Sequence, residues 1–215
     1  MTLSGKAQTD VTKFLGIPVD GSKTKMIKKL KAKGFKKNQY VKDVLTGEFN
    51  GRNVNICIVT NHDKVYRIVV ADTEFMNETD VKMRFNVLCD QFQNSLKYVS
   101  ISEGNPQIPE DEEISYEMTT HQKCYEASFY QLPDTATISY KEIIQAMLLL
   151  KYTEESSKNL SYETLHEIQR IIDNQDIEKI LKKSVWFKVI KYDYDKFYII
   201  MCYDNEYNEA NGEDL

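Results

Sequence analysis

The stretch "DKVYRIVVADTEF" at residues 63–75 is written a second time, in altered form, as "DKFYIIMCYDNEY" at residues 195–207. Asp63/Asp195, Lys64/Lys196, Tyr66/Tyr198, Ile68/Ile200, Asp72/Asp204 and Glu74/Glu206 are identical pairs. The likeness runs back through a whole hairpin. "VNICIVTNHDKVYRIVVAD" (54–72) aligns with "VWFKVIKYDYDKFYIIMCYD" (185–204), with one extra residue at the second turn. "LTGEFNG" (45–51) aligns loosely with "YEASFYQ" (125–131). Self-similarity at a long spacing is the mark of a copied structural unit.

Working outward from the first copy, "DGSKTKMIKKLKAKGF" (20–35) reads as a helix. Ser22 is placed to accept from unpaired N–H groups at its start, and Gly34 to take the left-handed turn that ends it. Met26, Ile27 and Leu30 form a narrow apolar stripe among lysines. Pro18 fixes the entry loop. Four extended segments follow: "FKKNQYV" (35–41), "VLTGEF" (44–49), "VNICIVT" (54–60) and "VYRIVVAD" (65–72). "NGRN" and "HDK" punctuate the last three, and Asn-Gly is a strong tight-turn signal because both residues tolerate positive φ.

The second copy opens with a helix over about 78–96, in which Val81, Phe85, Leu88, Phe92 and Leu96 recur at three- and four-residue steps. Asn77 or Thr79 starts it. After an acidic loop (103–113), "ISYEMTT" (114–120) and "CYEASFYQL" (124–132) read as strands. A helical block at 139–183 contains "YKEIIQAMLLLKY" (140–152), "YETLHEIQRIID" (162–173) and "DIEKILKK" (176–183). "VWFKVIKY" (185–192) and "KFYIIMCYD" (196–204) close the chain as a hairpin.

These readings define an α+β fold: a tandem αββββ repeat. One unit spans 1–76. The other spans 77–215 with the 139–183 insertion, and the two share one compact domain. A four-stranded unit with one helix has a small core. Joining two sheets edge to edge enlarges it and removes exposed edges. The expected result is a roughly eight-stranded antiparallel sheet with helices on one face.

Composition narrows the function classes. The chain has 215 residues, a net charge of −5 and 41% hydrophobic residues, with 14 tyrosines against one tryptophan. That charge predicts no broad affinity for nucleic acid. Charge is uneven, however: nine lysines and no acid lie between Lys23 and Lys42, which reads as a solvated face. Acids dominate 103–117 and 204–214. No apolar run is long enough to span a membrane. The start "MTLSGKAQTD" lacks the apolar segment of a secretory signal and points to the cytoplasm, whereas a leader cleaved beside "GKAQTD" would place the protein in the periplasm or envelope. Cysteines at 57, 89, 124 and 202 have no metal spacing, and Cys57 and Cys202 are expected as buried thiols within strands.

No catalytic, cofactor-binding or metal-ligating set emerges. His62 and His121 fall in expected hairpin turns and His166 in the inserted helix, each without a second ligand at the right spacing. The acidic tail "YDNEYNEANGEDL" is rich in oxygen donors, but the chain ends before the bidentate glutamate of a calcium loop. Motifs for phosphate binding, zinc proteolysis or a nucleophile elbow are absent. The aromatic residues near the end are the stronger signal. Trp186, Tyr194, Tyr198, Tyr203 and Tyr207, with Asp204, make a candidate recognition surface.

"FLGIPVDGSKTKMIKKLKAKGF" (14–35) and "FYIIMCYDNEYNEANGEDL" (197–215) resemble a group of uncharacterised proteins from Bacteroides-type gut bacteria. The resemblance implies a lean toward the cell envelope, since many members carry export signals, and it implies no catalytic residue. At fold level the chain is also similar to the tandem α/β architecture of beta-lactamase inhibitor proteins and small outer-membrane assembly lipoproteins, which implies protein binding. The duplicated scaffold, the abundance of tyrosine and the lack of a catalytic constellation point to a non-enzymatic protein-binding module. The alternatives are an enzyme with a site between the repeats, built on Asp204, Glu206 or His62, or a structural envelope component.

Overall fold

The computed structural model describes residues 10–101, 106–152 and 174–209. Two short strands, β1 (Lys13–Phe14) and β2 (Ile17–Pro18), precede helix α1 (Lys23–Ala32). Strands β3 (Lys36–Lys37), β4 (Val44–Phe49), β5 (Arg52–Asn61) and β6 (Lys64–Asp72) follow. Then come α2 (Glu78–Asn94), β7 (Tyr98–Val99), α3 (Ile114–Thr120) and β8 (Glu126–Gln131). Helices α4 (Ile138–Tyr152) and α5 (Asn174–Leu181) lead to β9 (Ser184–Asp193) and β10 (Lys196–Asp204). A 3-10 turn, Glu206–Asn208, ends the described chain. The expected helix at 162–173 lies outside the described residues.

The eight-stranded sheet has the order β3-β4-β5-β6-β10-β9-β8-β7, and every neighbouring pair is antiparallel. β6 and β10, which carry the two similar sequence stretches, pair at its centre. On each side of that pair the strands run inward in chain order, β3 to β6 on one side and β7 to β10 on the other. Both outermost strands are only two residues long, and one is a pair of lysines. Short, charged edges resist pairing with further chains.

Turn chemistry sets the hairpins. Asn50 and Gly51 have φ of 51° and 71°, and His62 and Asp63 have 47° and 60°. Two positive φ values in a row match the strand twist. Asn77 accepts from the Asp80 N–H at 2.8 Å and caps α2 as its position predicts. Ser22 occupies the N-cap of α1 but makes no capping bond, contrary to expectation. Leu96 falls past the end of α2 and is exposed, so it leaves the apolar stripe of that helix.

Two further expectations are corrected. "ISYEMTT" is helix α3, not a strand. Ile114 and Met118 are four apart and both meet the core, and Glu117 and His121 bond at 2.8 Å across one helical turn. His121 accordingly ends α3 rather than sitting in a hairpin turn. The strand that fills the eighth place is β7, two residues that no periodicity can reveal.

The main core lies between one face of the sheet and α1, α2 and α3. Met26 and Leu30 of α1 and Val81, Phe85, Leu88 and Phe92 of α2 pack on Ile56, Ile68, Phe187, Phe197 and Ile199. Phe14, fully buried, inserts against Phe49 and Tyr203, with ring centres at 5.2 and 4.9 Å. Gly47 permits this packing, because a Cβ there would stand 2.5 Å from the Phe35 ring. A second cluster contains Val99, Leu132, Ile144, Leu148, Ile177 and Ile180. Val99 and Tyr130 pair on the face away from α2, so α4 and α5 cover that second face under β7 and β8. The expected helices on one face are α1 to α3, and the inserted block adds to the other.

Candidate functional site

Side-chain alternation sorts β10 into two sets. Phe197, Ile199, Met201 and Tyr203 are buried toward the main core. Tyr198, Ile200, Cys202 and Asp204 point the other way. The pairings Cys202↔Trp186, Ile200↔Lys188 and Tyr198↔Ile190 put those β9 residues on this second face. Asp204↔Arg67, Cys202↔Val69 and Ile200↔Ala71 do the same for β6. Val69, Ala71, Tyr198, Ile200 and Ile190 remain partly exposed. Among the described residues, a broad area of sheet centred on the β6–β10 pair therefore stays uncovered beside the α4–α5 block.

Bulges decide which residues reach it. In the β5–β6 pair the register shifts between Val59 and Thr60, leaving Tyr66 unpaired. In the β9–β10 pair it shifts between Lys196 and Phe197, leaving Tyr192 unpaired. The extra residue sits on the last strand in one hairpin and on the earlier strand in the other. Beyond its bulge, β6 is one residue out of phase with β10. Ile68 is therefore fully buried in the main core while its sequence match Ile200 faces outward. Asp72 turns toward Arg84 on α2, and Asp204 turns to the uncovered face.

The centre of that face is a charged and aromatic cluster. Arg67 Nε donates to Asp204 Oδ1 at 2.6 Å, and Arg67 Nη2 to Oδ2 at 2.7 Å. Trp186 Nε1 donates to the same Oδ2 at 2.9 Å. The Arg67 guanidinium and the Lys188 ammonium each stand 5.4 Å from the Trp186 ring centre, within cation–π range. The backbone carbonyl of Asp204 accepts from the Thr12 hydroxyl, which ties the N-terminal segment to the strand end. The bond to Asp204 raises the Arg67 pKa still further. Burial, with Asp204 nearby, pushes the Cys202 thiol up to about 12.

One end of the face is aromatic and apolar. Phe75, 49% exposed, stacks on Tyr192, 63% exposed, at 4.2 Å, and meets Tyr198 edge-on at 6.0 Å. Ile190 and Ile200 flank Tyr198 on the neighbouring positions.

Of the residues singled out from sequence, the structure brings together Trp186, Tyr198 and Asp204. Tyr203 is a core residue packed on Phe14, and its hydroxyl is held well above its ordinary pKa by burial. It cannot share a face with Asp204, its direct neighbour on a strand. Tyr194 stands at the β9–β10 turn, 85% exposed, with its carbonyl accepting from Ser115 of α3. Tyr207 lies in the 3-10 turn with its ring 4.6 Å from Lys182 Nζ. Arg67, Phe75 and Lys188 were missed, although strict alternation from Tyr198 to Asp204 and across the hairpin would have found Lys188.

Cys57, expected to be buried, is exposed on the uncovered face of β5. Among the described residues, no three His, Cys, Asp or Glu side chains gather into a metal-binding group. The tail beyond Glu209 and His166 lie outside those residues. Among them, too, no helix is long and apolar enough to cross a membrane. Comparison with protein-family models, with curated proteins and with solved structures gave no match.

Proposed function

We propose that this protein is a non-enzymatic binding module that engages a protein partner through the uncovered face of its sheet. The observation that carries the reading is the exposed Phe75–Tyr192–Tyr198 group, continuous through Ile190 and Ile200 with the Arg67–Trp186 cluster. Protein interfaces concentrate aromatic side chains and arginine at their centre, and Trp, Tyr and Arg supply most of the energetically dominant contacts. A rigid sheet presents such groups with little further ordering cost. The Asp204 carboxylate is already engaged by Arg67 and Trp186, which is a structural use and favours a binding face over a catalytic one. The mirrored strand order about β6 and β10 supports descent of the two halves from one helix-plus-four-strand unit.

A photoreactive amino acid at Ile190 tests the reading, with the same group at Met83 on α2 as the comparison. A protein adduct formed at 190 alone, competed by unlabelled wild type but not by the Phe75→Ser/Tyr198→Ser variant, is the expected result. Equal labelling from both positions, or labelling that the face variant competes as well as wild type, would overturn it.

A further inference from the structure

The lysine-rich segment between Lys23 and Lys42 is more than a solvated helix face. With −5 for the whole chain and nine uncompensated lysines here, the remaining residues carry −14, so charge is sharply segregated. Eight of the nine are exposed. Among the described residues, the ion pair they make is Lys23 with Asp43, at 3.7 Å.

The fold brings two of these lysines, Lys37 and Lys42, to one hollow beside the lysine-bearing helix α1. Ile27 of α1, Lys37 of β3, Val41 and Lys42 of the following loop, and Val44 and Leu45 of β4 line a common hollow of about 210 Å³. Its floor is apolar, and its rim carries Lys37 and Lys42 together with Asn38 and Asp43, the acid that pairs with Lys23. Beside it, Tyr40 is 93% exposed and Val41 53% exposed. Their projection is fixed rather than accidental, because the backbone N–H groups of both donate to Asn38 Oδ1, at 2.8 and 3.0 Å. Burying Met26 and Leu30 in the main core turns the rest of α1 outward on the helix-covered side, away from the uncovered sheet face.

We infer that the lysines around this hollow, with Tyr40 and Val41 beside them, form a docking site for an anionic lipid membrane. Lysines attract the negative surface potential of acidic headgroups, and a tyrosine beside an apolar residue suits the boundary between headgroups and acyl chains. Lysine stems also lie along apolar surface while their ammonium groups stay in water. A nucleic-acid site would call for several base-stacking aromatics along a charged groove, whereas here Tyr40 is the aromatic that projects beside the lysines.

Co-sedimentation with vesicles of phosphatidylcholine, with and without phosphatidylglycerol, tests the inference. Wild type is expected to sediment with the acidic vesicles only and to be released by salt. Affinity should fall roughly five-fold for each lysine neutralised among Lys28, Lys29 and Lys37, taken to glutamine. Tyr40→Ser/Val41→Ser should weaken binding further while leaving its salt dependence in place. These positions are exposed, and circular dichroism confirms that each variant folds. No sedimentation with acidic vesicles, or tighter binding to single-stranded DNA or to poly-glutamate than to the vesicles, would overturn it. Tyr198→Ser should leave vesicle binding unchanged, so failure here is separate from failure of the sheet-face reading.

Discussion

Arg67 and Asp204 meet as a bidentate pair across the central β6–β10 strands, with Trp186 donating to the same carboxylate. The pair is unequally covered. The Asp204 side chain is 7% exposed and that of Arg67 26% exposed. Removing one partner from a buried ion pair leaves the other charge desolvated and unmatched. Arg67→Met should therefore cost about 3 kcal/mol, because Asp204 then keeps only the Trp186 bond. Asp204→Asn should cost less, about 1–2 kcal/mol, because the guanidinium can turn toward water and the amide oxygen still accepts from Trp186. Urea denaturation of both variants checks this order, and equal losses would show that Asp204 is better solvated than its position implies.

Gly47 and Phe35 approach closely at the edge of the main core. An added methyl group would meet ring carbons of Phe35 at 2.5 and 2.9 Å. Phe35 is buried near Phe14, with ring centres 6.5 Å apart, so the ring has little room to retreat. Gly47→Ala should destabilise the fold by about 1–3 kcal/mol through overpacking, despite improving strand propensity. Pairing it with Phe35→Leu, which frees space on the same side, should recover part of that loss in a double-mutant cycle.

The hairpins were legible in the sequence because two independent signals agreed there. Alternation marked the strands, and Asn-Gly marked a turn. Helix α2 was legible because its stripe runs for four turns. α3 was not: in seven residues, Ile114, Tyr116 and Met118 satisfy a period of two, while Ile114 and Met118 also satisfy one helical turn. The site was read only in part for a related reason. Tyr203 and Asp204 were grouped by nearness in the chain, yet neighbours on a strand point to opposite faces. The two bulges then shift the phase between β6 and β10 by one residue. The identity of Asp72 with Asp204 thus marks similar sequence without similar surroundings. Bulge positions depend on hairpin geometry, which an alignment of the two halves does not contain.

Asp72 and Arg84 form the counterpart pair on the helix side, and a looser one. Arg84 Nε stands 3.7 Å from Asp72 Oδ2, and neither atom has a hydrogen-bond partner among the described residues. Both side chains are at least nine-tenths buried. Burial raises the Asp72 pKa against the pull of Arg84 and Arg52, and it lowers that of Arg84. Each single replacement, Asp72→Leu or Arg84→Met, should cost about 3 kcal/mol, whereas the double replacement should be neutral or stabilising. The pH dependence has a definite sign. Because the folded carboxyl titrates above its unfolded value, ionising it costs more in the fold than in the unfolded chain. That cost is absent below the unfolded pKa of about 4 and complete above the folded one. Wild type should lose stability relative to the double variant as pH rises through that window. An opposite slope in paired urea titrations would show that Arg84 and Arg52 outweigh desolvation.

The four cysteines give a test of the sheet geometry that needs no partner. Cys57 and Cys124 are exposed, and Cys89 and Cys202 are buried. Burial pushes the thiols of Cys89 and Cys202 up to about 12 in each case, with Asp90 and Asp204 adding to the shift. Thiolate is the reactive form, so at mildly alkaline pH these two are protected both by cover and by protonation. In the native protein an aromatic disulfide reagent should label Cys57 and Cys124 quickly. Cys89 and Cys202 should react only at the rate of unfolding, or at once in urea. The informative variant is Arg67→Met. Cys202 lies on the same face as Arg67, between Trp186 on β9 and Val69 on β6. Loosening the Arg67–Asp204–Trp186 cluster should speed its labelling well before that of Cys89, which is buried in α2 within the main core. Simultaneous acceleration of both would mean that the variant opens the whole fold, and that the cluster does not act as a local cover over Cys202.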